Sequence, residues 1–121
     1  MCIRDSVYAA RAIAQLIQQH GLKTHVDGIC FSSCTLIFIS GTSRSAGPDA
    51  VFGFHGYRYR TGSATIYEDV ESQQQKDAAV FLQQGVNSEF VENIFNASPD
   101  ELWKPSAAEL TSAGVLTLQS D

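Results

Sequence analysis

The sequence predicts an α/β domain with at least some parallel strand pairing. Three observations carry this expectation. Helix-like and strand-like segments alternate along the chain. With 121 residues, 44% of them hydrophobic and 17% charged, the chain can bury roughly two thirds of the surface its unfolded form exposes. No internal repeat and no dividing linker interrupts the pattern, so residues 1–121 are expected to form one domain.

Each element has its own justification. Val7 to His20 sets Ala10, Ile13, Ala14 and Ile17 at i, i+3, i+4 and i+7, with Ser6 as N-cap and Gly21 just past the end, which is an amphipathic helix. Leu22 to Val26 reads as a short strand, Asp27 and Gly28 as a turn, and Ile29 to Phe31 as a further strand. A buried helix follows from Ser32 or Ser33 until Gly41 stops it. Ser40 to Ala50 is loop by composition, and Val51 to Arg60 alternates and is aromatic, as a strand edge would be, with His55 inside it or at its end. Ile66 to Gln84 predicts a long helix with a largely polar, Gln-rich face. Shorter helices follow at Ser88 to Phe95 and Ser106 to Ala113, and Gly114 closes the latter before a strand from Val115 to Leu118. The opening MCIRDS is expected to be an extraneous or truncated leader, because helix-like sequence begins directly behind it.

Charge and hydropathy narrow the function. The formal net charge is −5, and the eight Lys and Arg form no cluster, which argues against nucleic acid or an anionic membrane surface as partner, since phosphate neutralisation needs grouped cations. The longest apolar run is far too short to cross a bilayer, and no basic start precedes an apolar stretch. A metal centre is not expected from Cys30 and Cys34, four apart and without convergent His or further Cys.

The chemistry concentrates in GICFSSCTLIF, Gly28 to Phe38. Ser32 and Ser33 stand where a strand passes into a helix. A serine hydroxyl needs a base to take its proton and donors to receive the charge that develops on the attacked carbonyl oxygen. At a helix start the N–H of Ser33 is free to act as such a donor beside Ser32. His55, 23 residues on, is the candidate base, and Asp100 or Glu101 is available to orient it. The plain alternatives stay open: Ser32 or Ser33 as a helix cap, Ser33 as the nucleophile, His55 as a core histidine bonded to backbone. His20 and His25 read as helix-end or surface residues. Cys30 and Cys34 can be a disulfide, a reactive thiol pair or buried small hydrophobes.

These residues also resemble a known family. CFSSCTLIFISGTSR from Cys30, FGFHGY from Phe52, the long helix, and SAAELTSAGVLT from Ser106 are similar to the Clp protease proteolytic subunit, within the wider crotonase-like fold, and specifically to its secreted bacterial Clp-like relatives. AARAIAQLIQQHGLKTHV fits the helix and strand that precede the serine there. The resemblance implies a parallel sheet with flanking helices, incomplete at the N-terminus because a Gly-Gly turn expected before the first helix is replaced by MCIRDS. It implies Ser32 as nucleophile, Ser33 N–H as oxyanion donor, His55 as base and Asp100 as the nearest match to the acid, a couple of residues out of register. It further implies a serine hydrolase of peptidase type with no cofactor, acting on a peptide or protein substrate. A homo-oligomer formed through the long helix and a periplasmic or secreted parent follow from the same likeness, and in such a compartment a Cys30–Cys34 disulfide is the favoured state. A non-catalytic Clp-like module for assembly or peptide binding is the alternative.

Overall fold

The computed structural model describes residues 3–56, 64–97 and 101–117. Helix α1 spans Ile3–His20 and is followed by strands β1 (Thr24–Val26) and β2 (Ile29–Phe31). Next come helix α2 (Ser33–Ile39), strands β3 (Arg44–Ala46) and β4 (Val51–Gly53), and helices α3 (Ala64–Gln83), α4 (Ser88–Asn96) and α5 (Ala107–Ala113). Strand β1 pairs in parallel with β3, Thr24 opposite Arg44, and β2 pairs in parallel with β4, Cys30 opposite Phe52. The expected α/β class with parallel pairing is therefore observed.

Residue periodicity explains which faces are buried. Ala10, Ala14 and Ile17 form the buried stripe of α1, whereas Ile13, expected on the same face, is 43% exposed. In β2 and β4 the inward positions are Cys30 and Phe52, and their neighbours Ile29 and Val51 point to the surface, as the twofold period of a strand requires. Phe38 of α2 packs on Phe52 in a tilted ring contact, with centroids 4.8 Å apart. Phe54 meets Phe90 edge-on at 5.5 Å, and both touch Trp103. These rings fill the space between the strand ends and α4.

Several elements differ from expectation. Helix α1 begins at Ile3 and runs through Ser6, so Ser6 is inside the helix and does not cap it. Residues 44–46, loop by composition, form β3. Their strand is held by pairing and by one buried side chain rather than by β-propensity. The Arg44 guanidinium is buried and donates all five of its N–H bonds to main-chain carbonyls: Nε to Val115, Nη1 to Ile39 and Gly41, Nη2 to Gln84 and Gly114. These carbonyls lie at the ends of α2, α3 and α5, where helices leave acceptors without intrahelical donors and the dipole is negative. Burial pushes the Arg44 pKa down, and the ring of carbonyls replaces the carboxylate that a buried cation normally needs. Val115 to Thr117 is not a strand. It lies beside β3 through the Thr117 N–H, which donates to Arg44 O at 2.9 Å, and the rest of the segment expected there falls outside the described residues.

Helices α4 and α5 start as their sequences direct. Asn87 caps α4 by accepting from the N–H of Glu89 and Phe90, and Ser106 with Glu109 forms a capping box on α5. The expected strand beyond Gly56 falls on residues 57–60, outside the described ones.

Candidate active site

Strand β2 delivers Ser32 to the start of α2 in an unusual backbone state. Ser32 has φ 57° and ψ −119° and is the one non-glycine residue at positive φ among those described. This is the conformation of the first central position of a type II′ turn, which normally takes glycine. A capping serine would sit in the β region and accept from an N–H one turn ahead. Ser32 does neither: its side chain makes no cap hydrogen bond. The cap reading of Ser32 thus loses its geometric basis.

The turn is held from three sides. The Ser32 N–H donates to Gly53 O at 3.0 Å, and Ser32 O accepts from the N–H of Thr35 at 2.9 Å and from its hydroxyl. A disulfide joins Cys30, the fully buried inward residue of β2, to Cys34 in the first turn of α2, with Cα atoms 5.2 Å apart. The N–H of Ser33 has no main-chain acceptor among the described residues, as expected at a helix start.

His55 follows β4 directly. Phe54 is fixed by an antiparallel bridge to Trp103, with N–H to O distances of 2.9 and 2.7 Å. His55 Nδ1 lies 2.7 Å from Gly56 O. A carbonyl oxygen can only accept, so Nδ1 carries the proton and Nε2 holds the lone pair of the neutral ring. Ser32, Ser33 and His55 line one cavity with Thr35, Leu36, Phe54, Phe81, Ile94 and Phe95. Its volume is about 20 Å³, room for about one water-sized group. Apart from the serines, Thr35 and His55, the walls are apolar.

Of the expected acids, Asp100 lies outside the described residues. Glu101 is exposed, and among the described residues it makes no hydrogen bond or ion pair. The Gly-Gly turn that the resemblance places upstream falls outside the described residues, and the Ser33 N–H at the start of α2 is the main-chain donor beside Ser32 among those described. No group of His, Cys, Asp and Glu suited to a metal ion occurs among the described residues, and no described helix is long and apolar enough to cross a membrane.

A hydrogen-bonded Ser–His–Asp chain stands elsewhere, on the surface. His25 of β1 places Nδ1 2.7 Å from Ser45 Oγ, across the ladder on β3, and Nε2 2.7 Å from Asp27 Oδ1. The His25 and Asp27 side chains are 50% and 81% exposed, and Ser45 is in mid-strand with no helix start beside it. Nothing there would collect an oxyanion, so the chain reads as a bond across the β1–β3 pair. The composition of this segment could not reveal it, because β3 itself was hidden among Ser, Thr and Gly.

No protein-family profile and no curated protein matches the chain by sequence. Among solved structures it is similar to an enoyl-CoA hydratase/isomerase family protein from Silicibacter pomeroyi, with a TM-score of 0.59 and 15% identity. The alignment covers 97% of this chain and 45% of that one, so the chain spans less than half the length of its structural neighbour. At that identity the likeness speaks to architecture alone, and the architecture it shows is the crotonase-like α/β fold.

Proposed function

We propose that the chain carries the nucleophile and base of a serine hydrolase of peptidase type within the Clp-like branch of this fold. The observation that carries the reading is Ser32: a serine in a glycine-type backbone state, free of any capping bond, at a cavity shared with His55. Strain of this kind costs on the order of 1–3 kcal/mol and persists where the surroundings impose it, commonly at functional sites. A serine on a strained strand-to-helix turn is also the arrangement that exposes a nucleophilic hydroxyl in other hydrolases.

The reaction is acyl transfer. Ser32 Oγ bonds to the substrate carbonyl carbon while its proton passes to His55 Nε2, and the oxygen that becomes negative is received by the Ser33 N–H. The carbon–nitrogen bond then breaks and the proton on Nε2 leaves with the amine. Water enters, gives its proton to Nε2 and its oxygen to the acyl carbon, and the acid departs as the proton returns to Ser32 Oγ. No cofactor takes part. The Cys30–Cys34 bridge supports a periplasmic or secreted parent, because such bonds persist in oxidising compartments, and self-association through α3 accompanies the Clp-like reading.

Turnover of activated peptide esters tests the proposal. Ser32→Ala and His55→Ala are each expected to lower kcat by at least about 10³-fold with folding retained. Hydrolysis unaffected by either substitution would refute the enzyme reading.

A further inference from the structure

We infer that the group orienting His55 is the main-chain carbonyl of Gly56, acting as a positioning residue in place of a carboxylate. The inference rests on the hydrolase reading for its catalytic meaning, but its structural content stands apart from it. An orienting acid works by accepting the Nδ1 proton, which fixes the tautomer and turns Nε2 toward the nucleophile. Nδ1 has one N–H to give, and Gly56 O receives it at 2.7 Å. A carboxylate from residues 100 or 101 would have to displace that bond.

The carbonyl is rigidly supplied. Gly56 is buried, and its N–H donates to Ala97 O at 3.0 Å, which ties it to the end of α4. A Cβ at this position would stand 2.7 Å from Phe95 O and 2.9 Å from Ala97 O. Both are main-chain atoms that cannot swing aside, so only glycine lets the strand approach α4 this closely. Phe54, one residue before His55, is pinned to Trp103 on the other side. His55 is thus held between two anchored neighbours, and its ring is aimed by a fixed acceptor. A neutral carbonyl stabilises the imidazolium less than a carboxylate does, so the arrangement secures orientation more than basicity.

Two measurements on the intact chain test this. Nitrogen-15 NMR of the neutral His55 ring should show a pyrrole-like Nδ1 and a pyridine-like Nε2, unchanged in Asp100→Asn and Glu101→Gln. A pyridine-like Nδ1 in the wild type, or a tautomer change in either variant, would overturn the inference. Reaction of Ser32 with a fluorophosphonate should stay within about twofold of wild type in both variants, whereas a carboxylate orienter predicts a fall on the order of 10⁴ in turnover on Asp→Asn; a fall of that kind would also overturn it. If wild-type protein takes no label, the hydrolase reading fails and the ring tautomer still decides the role of Gly56.

Discussion

The amide of Ser32 donates to the carbonyl of Gly53 at 3.0 Å, and Gly53 is two residues upstream of His55. The Ser32 turn and His55 are therefore tied to the same stretch of β4, although 23 residues separate them in sequence. Register between β2 and β4, with Phe31 opposite Gly53, brings them to one end of the strand pair. Gly53 fits there because a Cβ would stand 2.7 Å from the Phe31 ring.

The strain at Ser32 predicts a trade between stability and reactivity. Ser32→Gly removes the Cβ that makes φ 57° costly, and that gain exceeds the chain entropy glycine adds. Ser32→Ala keeps the Cβ and the cost. The glycine variant is expected to be more stable than the alanine variant by about 1 kcal/mol, roughly 4 °C in melting temperature, with both inactive. Equal midpoints in calorimetry would show that the turn is unstrained.

The Cys30–Cys34 bridge closes a loop with a separation of four residues. Such a loop restricts the unfolded chain little, so its stabilisation is on the order of 2 kcal/mol. Its larger effect is on the turn it spans. Reduction is expected to slow fluorophosphonate labelling of Ser32 by about tenfold or more through lost preorganisation, with only a modest fall in melting temperature. Once mass spectrometry of non-reduced peptides has shown the bridge, labelling rates and melting temperatures with and without reductant check both halves, and a melting temperature that falls while the labelling rate holds would contradict the prediction.

Arg44 predicts a stability effect far larger than its surface-like sequence context suggests. Arg44→Ala removes five hydrogen bonds: the Val115, Gln84 and Gly114 carbonyls lose their side-chain donor, while those of Ile39 and Gly41 keep Gln84 Nε2, and a loss of at least about 3 kcal/mol is expected. Arg44→Lys is expected to recover only part of it, because three donors on a point charge cannot reproduce the planar fork. Urea unfolding midpoints of the two variants measure this, and a near-neutral Arg44→Lys would remove the fork from the explanation.

What the sequence made legible is what side-chain pattern encodes. Helices α2, α4 and α5 announce themselves by apolar spacing and by the glycines that end α2 and α5, Gly41 and Gly114, and the two serines between cysteines mark the junction. Strand β3 was not legible, since Thr42 to Ala46 carries turn composition and its strand is held by a ladder and by carbonyls from three helix ends. The contact between His55 Nδ1 and the Gly56 carbonyl was hidden for a related reason: a main-chain acceptor has no residue type to signal it. Ile13 was assigned to the buried stripe because its spacing is right, yet the alanines at 10 and 14 carry the contact and leave it at the margin.

The measurement that bears most directly on the central claim is the site of covalent capture. Protein treated with a fluorophosphonate, digested and mapped by tandem mass spectrometry, is expected to carry one adduct, on Ser32, lost in Ser32→Ala and in His55→Ala and retained in Ser45→Ala. An adduct on Ser45 of the His25–Asp27 chain, or no adduct on folded wild-type protein, would contradict the assignment of Ser32 as a nucleophile.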